Sequence, residues 1–441
     1  MNTPSPTGSP STGPLRIGIA GLGTVGRGVV KTLAHNADLI ALRSARPVEI
    51  TAVSARDKTR DRGIELTGLR WVDDPLALAE ANDVDVVVEL IGGADGIALD
   101  LVSKAIAAGK DVVTANKALL AIHGPALARE ADRSGVALRY EAAVAGGIPI
   151  VKSLREGLSG NAVTRITGIL NGTCNYILSQ MEETGASFAQ VLKEAQDKGY
   201  AEADPGTDIQ GTDAAHKIAI LAALAFGAPV PFDQVHVEGI EAIETDDIRF
   251  AAELGYRIKL LATAQWLGQG RICARVHPSL VTLRTPMAEV SGVMNAALVE
   301  ADPVQRIFLE GPGAGEGPTA SAVVADLIDL ARGLRLPVYM AAGSEKVEQS
   351  FVPIEEHLGA HYVRLRVIDR PGVMARITQI LADAEISIES ILQRGRRPNG
   401  VVPIVMVTHE ARDRVMRDAV DQFAALDSVT GTPCMIRIEK I

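Results

Sequence analysis

Residues 15–34 read LRIGIAGLGTVGRGVVKTLA, and this stretch decides the fold. Leu15 to Ala20 is a short apolar run suited to a buried strand, Gly21-Leu22-Gly23-Thr24-Val25-Gly26 follows at once, and Arg27 to Ala34 reads as a helix. GxGxxG here has the context that gives it meaning. Gly21 permits the tight turn, Gly23 lets backbone approach a pyrophosphate, and Gly26 lets helix pack on strand, while the helix N-terminus offers partial positive charge to phosphate. A merely tight strand–helix turn is the competing reading, and the strand before and helix after favour dinucleotide binding over it.

The same rhythm runs on. Val48 to Val53 is a second strand ending in Ser54-Ala55-Arg56-Asp57. An NAD enzyme usually sets an acidic residue against the ribose there. Ser54 and Arg56 come first and suit a 2′-phosphate, so NADP(H) is preferred, and Asp57 keeps NAD(H) possible. Asp85 to Ile91 is a strand ending in Gly92-Gly93, Leu99 to Ala108 a helix, Asp111 to Thr114 a strand, Leu119 to Ser134 mostly helix, and Ala137 to Tyr140 a strand. Such alternation predicts an α/β, Rossmann-type doubly wound parallel sheet with ligands at the strands' carboxyl ends. At two such ends, Gly92-Gly93 leaves room for a nicotinamide ring, and Thr114-Ala115-Asn116-Lys117 sets a lysine beside the crevice. A surface lysine opening a helix accounts for Lys117 as well. The small residues from Glu141 through Val144, Gly146 and Ile148 can aim carbonyls and one carboxylate at a hard cation, and a plain turn into a helix would look the same.

A second stretch gathers the chemistry: Gly199 to Gly227, GYAEADPGTDIQGTDAAHKIAILAALAFG. Gly206 and the Thr207/Asp208 pair predict a capped helix start, with helix continuing over Ala214 to Phe226 until Gly227 and Pro229. Asp213 and Lys217 stand four apart on one face, where a carboxylate can orient an ammonium group for general acid or base work. Glu202, Asp204 and Asp208 add acceptors for a cationic or hydroxyl-bearing ligand. The plainer reading is a solvated i,i+4 ion pair.

Composition bounds the rest. The 441 residues are 47% hydrophobic, 22% charged and 3% aromatic, which describes globular material of two or three aliphatic-cored domains. A net charge of -10 with no Lys/Arg cluster argues against nucleic acid and for small metabolites. Cys174, Cys273 and Cys434 lie far apart, which suits neither disulfides nor zinc and points to a reducing cytoplasm. The longest apolar run, Ile218 to Phe226, is too short to span a membrane, and residues 1–14 read as a disordered lead-in.

The segments GLGTVGRGVV, VVTANKALL, YEAAVAGGIPI, ILNGTCNYIL, GYAEADPGTDIQGTDAAHKIAIL and GPGAGEGPTASAV, in that order, resemble the homoserine dehydrogenases of the amino-acid-regulated type. The resemblance spans about Leu15 to Glu345. It implies NAD(P)-dependent interconversion of L-homoserine and L-aspartate 4-semialdehyde. Lys217 would be the proton donor with Asp213 assisting and Glu202 on the substrate amino group, joined by Asp208 and Gly199 in the substrate site. Lys117 would lie beside cofactor and substrate, and Glu141, Val144, Gly146 and Ile148 would hold a structural sodium ion. Family members differ in NAD or NADP use.

Domain bounds follow: the dinucleotide domain at 15–150, an α+β substrate and dimerisation domain at 151–318, a helix returning to the cofactor domain at 319–345, a linker at 346–360 and a tail at 361–441. Gly317, in the glycine-rich run before that helix, offers close approach to the cofactor, as a hinge also would. The tail reads βαββαβ. Its first turn, Ile368 to Val373, resembles the amino-acid-binding turn of ACT domains, with Asp369 for an ammonium group and backbone from Gly372 for a carboxylate. A pathway leading to threonine makes that the expected effector; a tail that only joins subunits, in a homodimer or homotetramer, is the other reading. Three rivals stand against the proposed chemistry: His216 as the acid/base, Cys174 as the nucleophile of an acylating aldehyde dehydrogenase, and a non-catalytic NADP(H)- and amino-acid-sensing regulator.

Overall fold

The computed structural model describes residues 13–227, 230–339, 349–395 and 400–441. Most of the expected lead-in, Pro229, the start of the 346–360 linker and most of the Gly395–Gly400 turn lie outside them.

The first layer is built from β1 (Leu15–Ala20), α1 (Thr24–His35), α2 (Ala37–Ser44), β2 (Val48–Ser54), β3 (Arg70–Trp71), β4 (Val86–Glu89), α3 (Ile97–Ala107), β5 (Asp111–Thr114), α4 (Lys117–Ser134) and β6 (Leu138–Arg139). The strands lie in the order β3-β2-β1-β4-β5-β6, all parallel. That is the order in which the first crossover reverses beside β1, and it opens a ligand crevice at the carboxyl ends of β1 and β4. The Val-rich strands are buried on both faces because helices cover each side.

The chain then passes through α5 (Ile150–Lys152), β7 (Ala162–Ile169), α6 (Gly172–Thr184), α7 (Phe188–Asp197), α8 (Gly206–Ile209), α9 (Thr212–Phe226), β8 (His236–Val237), α10 (Thr245–Glu253), β9 (Tyr256–Trp266), β10 (Arg271–Thr282), α11 (Pro286–Glu289), β11 (Met294–Asp302) and β12 (Gln305–Pro312). Helix α12 (Glu316–Ala331) returns to the first layer. It crosses α1 at Gly28, where a Cβ would come 2.5 Å from the Glu316 carbonyl oxygen. Last come β13 (Ser350–Phe351), β14 (Leu358–Ile368), α13 (Val373–Asp383), β15 (Ile388–Gln393), β16 (Val401–Thr408), β17 (Ala411–Arg412), α14 (Asp413–Ala424) and β18 (Cys434–Glu439); apart from the short added strands β13 and β17, this is the βαββαβ order read from sequence.

Two expectations need correction. The helix expected from Gly206 onward is two helices: Gly211, at φ +87, breaks it and starts α9. Neither Thr207 nor Asp208 caps it, because the Asp208 side chain is spent on α6 instead. The tail, expected beyond a linker, shares one sheet with the substrate domain, in the order β12-β11-β7-β9-β10-β18-β14-β16-β15. The last strand, β18, lies parallel to β10 on one edge and antiparallel to β14 on the other.

Helix α9 is apolar nearly all round and correspondingly buried. It is packed between α4 and strands β9 and β10. Its N-terminus therefore opens on the same crevice as the N-terminus of α4.

Candidate active site

The crevice begins at the glycines. A Cβ on Gly21, at φ +102, would stand 2.4 Å from the Leu90 carbonyl oxygen, and one on Gly26 would stand 2.1 Å from the Gly21 carbonyl oxygen, whereas Gly23 faces open space. Two glycines thus close the turn and the third leaves it accessible. No side chain caps α1, so its first N–H groups are available to phosphate oxygens. These residues fit a nicotinamide dinucleotide. A cavity of about 410 Å³ continues from Gly21, Leu22 and Gly23 to Ser54, Arg56, Asp57 and Arg60. The Asp57 carboxylate is turned onto Thr59, accepting from its backbone N–H at 2.8 Å and its hydroxyl at 2.7 Å. Those bonds hold its carboxyl below the usual range.

Buried Glu89, which sequence reasoning missed, shapes the far end of the crevice. Its carboxylate accepts the N–H groups of Ile91 (2.7 Å) and Gly92 (3.2 Å) and the Thr114 hydroxyl (2.6 Å). Asn116 caps α4 by accepting the Leu119 N–H at 3.1 Å and donates to the Gly93 carbonyl at 2.7 Å. Gly92-Gly93 and Thr114 to Lys117 are thereby one unit. Gly317 stands apart from the cavity, exposed in the first turn of α12.

Lys117 and Lys217 meet on one carboxylate. Lys217 Nζ donates to Asp213 Oδ2 at 2.7 Å and to the Leu170 carbonyl at 2.6 Å. Lys117 Nζ lies 2.7 Å from Asp213 Oδ1 as an ion pair without hydrogen-bond alignment. Asn171, the cap of α6, bridges Asp213 Oδ2 (2.9 Å) and Asp208 Oδ1 (2.8 Å) through its amide nitrogen. Thr173 ties Asp208 Oδ2 (3.1 Å) to the carbonyl of Tyr200 (2.8 Å), in the turn that Gly199 opens at φ +75. Burial opposes the charge on Asp213, yet the two lysines outweigh it and hold the carboxyl well below the usual range. Burial would lower Lys117; Asp213, with Asp208 and Glu202 behind it, overrides burial and raises it. Lys217 is buried while Lys117 keeps 43% of its side chain exposed and Glu202 faces solvent. This disposes of the solvated-pair reading of Asp213 and Lys217.

Neither rival group joins the cluster. His216 stacks on Phe232 with ring centroids 4.5 Å apart, and burial lowers its pKa. Cys174 is fully buried, its Sγ 3.2 Å from the Asp208 carbonyl, and burial beside Asp208 and Asp213 pushes the thiol well up. A nucleophilic thiolate needs the opposite environment.

At the candidate cation loop, the Glu141 carboxylate accepts the N–H groups of Val151 (3.0 Å) and Lys152 (2.8 Å), and the Glu141 N–H donates to Asp326 at 2.8 Å. Burial, reinforced by Asp326, pushes Glu141 up to about 7. Ala145 and Gly146 are left-handed at φ 55 and 50. The Ile148 carbonyl accepts the Ile150 N–H at 2.8 Å, while those of Val144 and Gly146 receive no protein donor among the described residues. Two unsatisfied carbonyls beside excess buried negative charge fit a hard cation.

In the tail, a cavity of about 470 Å³ is lined by Val367 to Met374, Gln393 and Ile404. Gly372, at φ 88, starts α13 without a side-chain cap, and the Asp369 N–H donates to the Gly400 carbonyl at 2.8 Å. No described helix is long and apolar enough to cross a membrane.

Family models agree with this layout. The model described as homoserine dehydrogenase matches residues 149–328, that for the homoserine dehydrogenase NAD binding domain matches 21–141, and that for the ACT domain matches 361–427. The chain is 45% identical over 434 residues to a homoserine dehydrogenase of Neisseria gonorrhoeae, covering 97% of this chain and 99% of the relative. It is 44% identical over 435 residues to one of Pseudomonas aeruginosa, covering 97% and 99%. Among solved structures, a homoserine dehydrogenase from Thiobacillus denitrificans superposes with TM-score 0.91 at 44% identity, covering 97% of this chain and 99% of that one. A hyperthermophilic archaeal homoserine dehydrogenase in complex with NADPH gives 0.61 at 27%, covering 71% and 97%.

Proposed function

The chain belongs to the homoserine dehydrogenase family, oxidoreductases that act on CH–OH with a nicotinamide cofactor, and from that premise we propose how its own residues divide the work. The reaction is the reversible reduction of L-aspartate 4-semialdehyde to L-homoserine, on the route to threonine, methionine and isoleucine. When bound, the dinucleotide supplies the hydride. Gly21 to Gly26 and the α1 N-terminus hold its pyrophosphate, and Gly92, Gly93 and Thr114 frame the nicotinamide. Arg56 binds a 2′-phosphate, so NADP(H) is preferred; the cavity at Arg56 and Arg60 and the engagement of the Asp57 carboxylate by Thr59 support this.

Lys217 gives the proton to the substrate oxygen and takes it back in the reverse direction. Asp213 keeps that ammonium aimed, and Lys117 shares the field from the exposed side. Glu202 and Asp208 hold the substrate ammonium group beside the Gly199 turn. The observation that carries this reading is the meeting of two lysines, from α4 and α9, on the single Asp213 carboxylate. Glu141, Val144, Gly146 and Ile148 hold a sodium ion that stabilises the loop. The ACT domain takes an amino-acid effector, here threonine, at Asp369 and Gly372, in a cytoplasmic homodimer or homotetramer.

The test is Lys217→Ala, assayed as NADPH oxidation with aspartate semialdehyde. Turnover falls by about 100-fold or more while NADPH affinity holds; a mutant keeping most of its turnover overturns the assignment.

A further inference from the structure

We propose that Glu238 is a positioning residue for this reaction, the point where the C-terminal domain grips the turn that carries Asp208 and Asp213. The inference rests on the reading of Lys217 and Asp213 above and adds to it a residue from outside the crevice.

The turn Ile209 to Gly211 lies between those two aspartates and has its back to residues 237–240. The Ile240 N–H donates to the Ile209 carbonyl at 2.9 Å. A Cβ on Gly239 would come 2.4 Å from that same carbonyl oxygen, and one on Gly211 would come 3.1 Å from Val237 and 3.2 Å from Val276. With no slack between the two segments, a shift of 237–240 must displace 209–211. Asp208 and Asp213 share the Asn171 amide, so that displacement changes the aim of Lys217.

Two supports fix residues 237–240. One is β10, whose Val276 carbonyl accepts the Glu238 N–H at 2.8 Å. The other is the Glu238 carboxylate itself. It contacts His236 at 2.8 Å and accepts from Arg417 at 2.6 Å and from Arg437 at 2.8 and 3.0 Å. Arg417 lies on α14 and Arg437 on β18, both in the C-terminal domain. Both also bind Asp413 of their own domain at 2.6 Å. Burial opposes the charge on Glu238, but His236 and Arg437 prevail and hold its carboxyl far below the usual range.

Because Asp413 alone anchors the two arginines, the C-terminal domain does not need Glu238 to order them. What Glu238 adds is the crossing of the seam. Arginine–carboxylate forks are directional, so the position of α14 and β18 is passed to the catalytic turn through this acid as well as through β10, with which β18 pairs.

The experiment is steady-state kinetics on the full-length protein. Glu238→Gln keeps the shape and removes the charge; its kcat falls about 10-fold, the cost of a small misplacement at the chemistry, with KM for NADPH unchanged. Arg417→Met reproduces the loss, and the double variant loses no more than either single one, as members of one linkage should. Arg366→Met breaks the Arg366–Glu244 pair on the same seam and leaves kcat unchanged. A Glu238→Gln enzyme with wild-type kcat overturns the proposal, as does an Arg366→Met enzyme that loses as much. If Lys217→Ala keeps its turnover, the site reading itself fails, whatever Glu238 does.

Discussion

Asp213 and Glu141 are both buried carboxylates beside the cofactor domain, and their surroundings shift their proton affinities in opposite directions. Asp213 is touched by two lysines and stays ionised despite its burial. Among the described residues, Glu141 has only backbone N–H groups on its oxygens and a second buried acid, Asp326, as its neighbour. It rises to about 7. The Lys152 ammonium is held by Asp329 and lies 4.0 Å from Asp326, which offsets the repulsion between the two acids only in part. At the first carboxylate two ammonium groups therefore meet, placed for an oxygen that gains negative character during reaction. At the second, two buried acids repel each other, which a proton or a cation relieves.

Removing the carboxylate from the first cluster gives the largest effect. Asp213→Asn leaves two ammonium groups without their shared anion and unaims Lys217. We expect kcat to fall by about 100- to 1,000-fold, with NADPH binding, measured by fluorescence titration, nearly intact. A mutant that retains a tenth of its turnover would break the comparison, because Asp213 would then be no more than a structural ion partner.

The second cluster is tested by stability against pH. Glu141 rises from 4.5 to about 7 on folding, so the folded state holds its proton more tightly than the unfolded state. The stability this contributes is fully present below about 4.5 and is lost as pH rises through about 7, an effect on the order of 3 kcal/mol across the window. Glu141→Gln should abolish this slope and melt higher than wild type at pH 8 in sodium-free buffer. Added sodium should raise the wild-type Tm there and leave the variant unmoved. Identical melting curves with and without sodium would remove the cation from the account while leaving the proton.

A smaller effect separates the cofactor's two ends. Arg56→Ala should raise KM for NADPH about 10-fold, the loss of one charge-assisted contact, and change KM for NADH little. Equal weakening of both would show that the positive charge near Arg56 serves the adenosine generally.

What was legible in the sequence was local. Gly21, Gly23 and Gly26 act within one strand–turn–helix, and Asp213 with Lys217 lies within one helical turn, so spacing brings each group together, although for Asp213 and Lys217 it left a solvated pair as the plainer reading. The same holds for βαββαβ in the tail, where each element carries its own periodicity. Lys117 could not be told from a surface lysine because its partner lies on another helix nearly a hundred positions on. Glu89 and Asn171 were invisible for the same reason: each works by tying backbone to residues far along the chain. Most hidden was the seam. Nothing in Cys434 to Glu439 says that this strand completes a sheet begun at β7, or that Arg437 and Arg275 find Glu238 and Glu439 across it. Charged residues inside a short strand look solvent-facing until the sheet that buries them is known. The break at Gly211 escapes the sequence because the strong helix formers from Ala214 onward outweigh one glycine, whereas in the fold Gly211 is left-handed and packs tightly against Val237.

The smallest expected effect sharpens the comparison from the side of a third group. Cys174 lies against Asp208 in the first turn of α6, and the same negative charge that raises Lys117 opposes a thiolate there. In a thiol route the sulfur would have to reach the aldehyde carbon as an anion, yet its proton is directed at the Asp208 carbonyl, 3.2 Å away. Serine is nearly isosteric and donates to the same carbonyl, so Cys174→Ser should keep kcat within about threefold of wild type, the margin for a buried contact that takes no part in proton transfer. Iodoacetamide should leave the native enzyme active, because the residue is fully buried as well as protonated. A loss of about 100-fold in Cys174→Ser, the scale set by removing a group that takes part in the chemistry, would instead place the reaction on sulfur and leave the Asp213 cluster as its electrostatic support.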